Sequence, residues 1–177
     1  MQRLYKKLMD WKNSLGPWQR RLLFIALLVA VYFSAQLYSQ RHLVAGAAPV
    51  FRAVTLQGQV IDPQVWRERP VLLHFWATWC PICKLEQDMI NSLARDYQVV
   101  TVAMNSGGED AIEQYLEEHG LSFPVIVDPD GALARRFGVS GVPTGFIIDR
   151  HGQIRFREIG LTSSWGWRAR LQLAEWW

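Results

Sequence analysis

The sequence predicts an α/β protein with a mixed central β-sheet, helices on both faces of the sheet, and a single transmembrane helix before this domain. Three observations lead to the prediction. Short apolar runs typical of buried strands alternate with stretches of helical periodicity. The last two strand-like segments flank the turn Asp149–Gly152, which makes them an antiparallel hairpin. A charge-free apolar stretch, Leu22–Tyr38, precedes all of these segments.

The stretch Leu22–Tyr38 has 17 residues, which is at the short end of the length that crosses a bilayer. Six basic residues precede it and few follow it closely, so the positive-inside rule keeps the N-terminus in the cytoplasm and exports the rest. We therefore expect a basic leader at 1–21, an anchor at 22–38, a linker at 39–49 and an exported domain at 50–177.

A cleaved signal peptide is the alternative to an anchor, because Ala45-Gly46-Ala47 fits a small-x-small cleavage site. The long apolar core and the intervening Arg41-His42 favour an uncleaved anchor. Both alternatives place the domain outside the cytoplasm.

Charge divides the chain at the same boundary. Residues 1–48 carry 7 Lys and Arg against 1 acidic residue, whereas residues 49–177 carry 12 against 15. The net positive charge of the chain therefore comes from its N-terminal segment. The mildly acidic domain that follows has no charge pattern for binding nucleic acid.

The exported part reads in order as strands and helices of ordinary length. The first half contains two strands turned by Gly58, a helical turn, a buried strand, a helix with an apolar stripe at Ile82, Leu85, Met89 and Leu93, and another buried strand. The predicted segments are Phe51–Leu56, Val60-Ile61, Pro63–Arg67, Val71–Trp76, a helix after Cys83, and Val99–Met104.

The second half begins with a capping box at Ser106–Glu109, which opens a helix that Gly120 ends after His119. A strand, a turn, a short helix, the hairpin and a final helix follow. The predicted segments are Phe123–Val127, Asp128–Gly131, a helix to Phe137, Thr144–Asp149, Gln153–Ile159, and a helix from Ser163 or Ser164 through Trp176.

The two cysteines of the chain, Cys80 and Cys83, lie between a predicted strand and a predicted helix. Cys80 is expected at the N-cap, with Pro81 at the first helical position, where its missing N–H costs nothing. Free backbone N–H groups and the helix dipole stabilise a thiolate there. Cys83, one turn inside, is placed to attack a mixed disulfide on Cys80, and this context is typical of a dithiol redox centre.

Other uses of the cysteine pair fit the sequence less well. A structural disulfide that closes so short a loop would add little stability. A structural zinc site needs four ligands, and the four histidines are scattered along the chain. Copper(I) binding by the two thiolates stays open as an alternative.

Three motifs in order resemble the thioredoxin superfamily over roughly residues 50–175: Phe75–Cys83 (FWATWCPIC), Phe137–Thr144 (FGVSGVPT) and Phe146–Asp149 (FIID). The resemblance is strongest to the membrane-anchored, exported TlpA-like and cytochrome-c-maturation branch. The segment Gly160–Arg168 and the short anchor look most similar to the thioredoxin-like membrane protein of suppressor-of-copper-sensitivity operons.

The resemblance implies roles at matching positions. Cys80 would be the attacking thiol and Cys83 the resolving one, with their disulfide as the redox group and no other cofactor or metal. Pro143 would be a cis-proline that turns the Val142 backbone toward a bound peptide. The residues expected to contact substrate are Trp79, Pro81, Ile82, Val142 and Pro143.

Two acid–base residues flank this motif. Glu86 falls three residues after Cys83 on one helix face, and we hypothesise that it is partly buried, has a raised pKa and relays the proton of Cys83. A solvated surface position is its alternative. His74 stands where thioredoxins carry a buried Asp and the resembled branch usually has Asn; a core role is favoured over that of a titrating base.

The resulting interpretation is a membrane-anchored thiol–disulfide oxidoreductase of a Gram-negative periplasm that reduces disulfides in exported proteins, with a link to copper tolerance or cytochrome c maturation. A membrane-embedded thiol reductase of the inner membrane would regenerate the dithiol. The alternatives are a disulfide oxidase or isomerase, and a copper-binding module that uses the same cysteines.

Overall fold

A computed structural model describes residues 16–62 and 68–177 of the chain. Its contacts divide the chain into two units, one ending at Arg41 and the other comprising His42–Trp177. Most of the predicted basic leader and the helical turn predicted for Pro63–Arg67 lie outside the described residues.

The first unit contains helix α1, Pro17–Ser39. Pro17 occupies the first helical position, and the Gly16 N–H donates to Gln19 Oε1 at 3.0 Å, which caps the start. In the described part of the chain, one helical segment, Pro17–His42, is long and apolar enough to cross a membrane by length and composition. Its apolar side chains are exposed.

The second unit is built on a six-stranded mixed sheet. Its strands run across the sheet in the order β1-β8-β7-β4-β5-β6, with β4, β5 and β6 parallel and the others antiparallel. The small hairpin β2-β3 stands apart from this sheet. The strands are β1 (Gly46–Ala47), β2 (Ala53–Val54), β3 (Val60–Ile61), β4 (Val71–Trp76), β5 (Gln98–Met104), β6 (Val125–Asp128), β7 (Thr144–Ile148) and β8 (Gln153–Ile159).

Helices cover both faces of the sheet, because successive side chains of β4 enter two different cores. Leu72 and Trp76 pack with helices α2, α3 and α5, while Leu73 and Phe75 pack on the other face with α4 and the segment that contains Phe51. The predicted fold class is therefore confirmed. The helices of this unit are α2 (Pro81–Asp96), α3 (Glu109–His119), α4 (Ala132–Arg136) and α5 (Ser164–Ala174).

The predicted apolar stripe of α2 is confirmed at Met89 and Leu93, which pack in the core, and is wrong at Ile82 and Leu85. Its fully buried residues are Cys83, Glu86, Ile90 and Leu93, whereas Ile82 is 47% exposed and Leu85 is 75% exposed. The reason is the start of the helix, since the short connection from β4 fixes Cys80 as the N-cap and turns the face of Cys83 toward the sheet. An ionisable residue, Glu86, thus stands in the buried row of the helix.

The predicted capping box at Ser106–Glu109 is also wrong. The N-cap of α3 is Gly108, which makes no side-chain cap. Ser106 instead connects two loops, because its Oγ donates to the Met104 carbonyl at 2.9 Å and accepts from the Thr78 N–H at 3.0 Å. Its hydroxyl is therefore used next to the redox motif rather than at the helix.

Several boundaries differ from the prediction. The first predicted strand, Phe51–Leu56, is reduced to Ala53–Val54, the strand predicted at Phe123–Val127 runs from Val125 to Asp128, and α5 ends at Ala174 rather than at Trp176. The segment 39–49, assigned to a linker, contains β1, and its Leu43 and Ala48 are buried in the core.

Candidate active site

Cys80 and Cys83 lie where β4 ends and α2 begins. Cys80 is the N-cap residue, Pro81 occupies the first helical position, and the Cys83 N–H donates to Cys80 Sγ at 3.1 Å. The two sulfurs form a disulfide, and both residues are at least 95% buried. In the reduced chain the same N–H and the helix N-terminus stabilise negative charge on Cys80 Sγ.

A second loop, between α4 and β7, meets the sulfur of Cys80. The Val142–Pro143 peptide bond is cis, and Cys80 Sγ lies 3.6 Å from the Val142 carbonyl oxygen. The Pro143 carbonyl accepts from the Gly160 N–H at 2.9 Å, so the loop after β8 is tied to the same place. The arrangement leaves the backbone of Val142 beside the reactive sulfur.

Exposed apolar side chains surround the dithiol. Trp79 is 59% exposed and is fixed by a hydrogen bond of 2.9 Å from its Nε1 to the Asn105 carbonyl. Pro81 and Ile82 are exposed at the first turn of α2, and Leu85 follows on the same side. Leu161, 61% exposed, follows Gly160, whose N–H donates to the Pro143 carbonyl.

Glu86 lies one turn after Cys83 among the buried residues of α2, with 1% of its surface accessible. Its Oε2 accepts from the Thr162 N–H at 3.3 Å, and its Oε1 lies 3.2 Å from His74 Nε2. Burial raises the pKa of Glu86 to about 7, against the opposing effect of the Thr162 N–H. The solvated position considered for this residue is wrong, and its carboxyl group titrates near neutral pH.

His74, in the centre of β4, is buried, as the favoured core role predicts, but its contact with Glu86 was not predicted from the sequence. Burial lowers the pKa of His74 to about 4, so its ring is neutral at pH 7 and the contact with Glu86 is not a fixed ion pair. The Trp167 ring lies edge-on to the His74 ring, with 6.4 Å between the two ring centroids. His74 stands out in the sequence as a polar residue within an apolar strand. Its contact with Glu86 of α2 is visible only in the folded structure.

Among residues 16–62 and 68–177, no group of three His, Cys, Asp or Glu side chains is arranged to hold a metal ion. The soft metal-binding atoms that the site itself offers are the sulfurs of Cys80 and Cys83, which are joined in the disulfide.

Similarity to known proteins extends over most of the second unit. The model of the AhpC/TSA family matches residues 44–157. A thioredoxin-like protein of Haemophilus influenzae is 40% identical over 110 residues, which cover 62% of this chain and 65% of that protein, slightly under two thirds of its length. The thiol:disulfide interchange protein DsbE of Vibrio cholerae is 31% identical over 169 residues, or 86% of this chain and 92% of that protein.

A solved structure has the same fold as the second unit. The crystal structure of a thiol:disulfide interchange protein of the thioredoxin family from Chlorobium tepidum superposes with a TM-score of 0.64 at 25% identity, covering 74% of this chain and 97% of that one.

Proposed function

The chain belongs to the AhpC/TSA family of thioredoxin-like proteins and is a thiol–disulfide oxidoreductase, and we propose that it reduces disulfides in exported proteins from an anchor in the bacterial inner membrane. The observation that carries the proposal is the position of Cys80. Its sulfur receives an N–H at a helix start and lies beside the Val142 carbonyl.

The chemistry is a two-step exchange. The Cys80 thiolate attacks a substrate disulfide, a new S–S bond joins Cys80 to the substrate, and the other substrate sulfur leaves as a thiolate. Cys83 then attacks Cys80 Sγ, so the second substrate sulfur leaves and the Cys80–Cys83 disulfide forms. Two electrons pass from the enzyme to the substrate, and a membrane-embedded thiol reductase must return them.

Substrate docking uses the groups around the sulfur. We expect an extended segment of substrate to pair with the Val142 backbone, which Pro143 holds beside Cys80. The exposed apolar surfaces of Trp79, Pro81 and Ile82 would contact the flanking residues. Such a surface suits segments of many sequences, because backbone pairing supplies much of the recognition.

Glu86 is proposed as the proton store of the resolving step. Cys83 must lose a proton before it attacks, and Glu86, buried one turn further along α2, has its pKa raised by burial to about 7. A carboxylate with such a pKa accepts a proton readily at neutral pH.

The proposed location follows from α1 and from the charge around it. Residues 22–38 would form an uncleaved anchor, the basic leader 1–21 would stay in the cytoplasm, and the redox domain would lie in the periplasm. The branch resemblance points to cytochrome c maturation or copper tolerance as the process that the enzyme serves.

Trapping tests this function. In full-length Cys83→Ala chain, mixed disulfides on Cys80 are expected to accumulate in cells, because the resolving thiol is missing. The adducts should disappear on reduction and be absent from the Cys80→Ala/Cys83→Ala control. If the Cys83→Ala chain carries no adduct, protein disulfides are not its substrates.

A further inference from the structure

A small cavity lies under the disulfide, on the core side. Its volume is about 10 Å³, close to what one water molecule needs. Cys83 and His74 both line the cavity, whereas Glu86, which contacts His74, is not among the lining residues. The lining residues are His74, Trp76, Cys83, Gln87, Ile90 and Phe123.

The two ring nitrogens of His74 have different surroundings. Nε2 lies 3.2 Å from Glu86 Oε1. Nδ1 is buried and has no hydrogen-bond partner among the described residues. Buried polar atoms are nearly always paired with protein or with water, and a neutral imidazole with its proton on Nε2 offers Nδ1 as an acceptor. A water molecule bound in the cavity that His74 lines would supply the donor that Nδ1 needs.

We propose that His74 is a positioning residue that carries the proton of Cys83 to Glu86 through a water in this cavity. The proposal rests on the function assigned above to Cys83 as the resolving thiol. It makes the histidine part of the redox machinery rather than a packing residue of β4.

The step conserves atoms and charge. The Cys83 thiol gives its proton to the water, the water gives one of its own to His74 Nδ1, and His74 releases the Nε2 proton to the Glu86 carboxylate. The ring ends neutral in its other tautomer, Glu86 ends protonated, and the Cys83 thiolate attacks Cys80 Sγ. The contact between Nε2 and Oε1 is poorly aligned for a hydrogen bond, as such contacts often are before substrate binds.

The protonation of the His74 ring depends on the groups packed around it. In the described contacts, its neighbours on the adjacent strands are Thr101 of β5 and Gly145 of β7, and the Trp167 ring covers it from α5. None of these three carries a titratable group. Among the described contacts of His74, the titratable partner is Glu86 of α2, and Cys83 of the same helix shares the cavity with His74.

The test separates the two exchange steps on the full-length chain in detergent. An aromatic disulfide probe releases one coloured thiol when Cys80 attacks it and a second when Cys83 resolves the mixed disulfide. In His74→Asn, which keeps a polar side chain that takes up no proton, we expect the first release to be unchanged. The second release should slow by about tenfold or more at neutral pH.

The pH profile distinguishes proton transfer from packing. In the parent chain the second release should follow a group that titrates near neutral pH, whereas in His74→Asn it should follow the ionisation of Cys83 at higher pH. The His74→Asn/Glu86→Gln chain should be no slower than His74→Asn alone, because both residues belong to one path. Additive slowing, or an unchanged rate and profile in His74→Asn, overturns the proposal.

Failure of the assigned function gives a different result, because a Cys83→Ala chain would then also release the second thiol. The ring ¹⁵N resonances of His74 in the unsubstituted chain give a readout that needs no variant to fold. We expect Nδ1 to change its protonation with pH in the reduced chain. A single unchanged tautomer across the neutral range in both redox states overturns the proposal.

Discussion

At the residue scale, folding reverses which of His74 and Glu86 carries a proton. Between the ordinary pKa of Glu86, 4.5, and that of His74, 6.5, the unfolded chain holds a proton on His74, whereas the folded chain holds it on Glu86. Folding therefore moves a proton between the residues without changing the number bound. The pair makes the free energy of unfolding nearly independent of pH in that range.

Single substitutions should expose the two opposing contributions. Glu86→Gln leaves a histidine whose pKa is lowered to about 4, so the folded state binds fewer protons than the unfolded state and the free energy of unfolding rises between pH 4 and 6.5. His74→Asn leaves a glutamate whose pKa is raised to about 7, so the free energy of unfolding falls between pH 4.5 and 7. Each change amounts to about 3 kcal/mol.

Urea unfolding of the oxidised chain across this pH range measures both slopes, with the unsubstituted chain as the reference. Parallel pH dependences in all three chains would show that the two residues do not exchange a proton on folding.

The sequence showed the redox pair at this scale but only part of its surroundings. Cys80, Pro81 and Cys83 were placed correctly because a strand, a cap and a helix start are local signals. The contact between Glu86 and His74 joins residues 12 positions apart on two elements, and the Thr162 N–H comes from a third. Neither contact has a local pattern that would predict it.

At the element scale, β7 must carry a glycine where it faces α5. Gly145 pairs with His74 across the strands, and a Cβ at this position would overlap the Trp167 ring. We expect Gly145→Ala to lower the free energy of unfolding by about 1–3 kcal/mol, since an added methyl in a filled core displaces its neighbours.

Gly141→Ala is the matched control, because a Cβ there meets no atom within 4 Å and the residue does not have a positive φ. Thermal unfolding together with the aromatic circular dichroism of the buried tryptophan measures the difference. Equal stabilities of the two variants would contradict this packing.

The segment before residue 50 belongs to the folded unit by its contacts. Leu43 and Ala48 are buried, the Val44 N–H donates to the Phe137 carbonyl at 3.1 Å, and β1 pairs with β8. A chain that begins at residue 50 should be less stable than one that begins at His42 by about 2 kcal/mol or more, from the loss of the Leu43 side chain alone. Urea unfolding of the two chains tests this, and equal midpoints would contradict it.

The same segment shows why element boundaries were harder to predict than element types. β4 and β5 are predominantly apolar runs, so an assignment based on hydrophobicity finds them. The short strand β1 consists of Gly46 and Ala47, which have little strand propensity, and it exists because β8 offers an unpaired edge. The buried face of α2 was misread for a related reason, since the fold rather than the apolar pattern selected it.

At the scale of the whole molecule, the chain combines an apolar N-terminal helix with a redox domain, and in the proposed topology the dithiol of that domain would have no direct cytoplasmic source of electrons. Its central claim is that Cys80 and Cys83 are kept reduced outside the cytoplasm. That claim combines the direction of electron flow with the side of the membrane, so one measurement on intact cells can test both parts.

The measurement is labelling of the full-length chain in growing cells with a thiol reagent that does not cross the inner membrane. The account predicts that Cys80, the attacking thiol, is labelled without added reductant, and that this labelling is lost when the membrane thiol reductase is removed. Labelling only after reductant is added would mean an oxidising enzyme, and labelling only after lysis would place the domain in the cytoplasm. Either result would contradict the account.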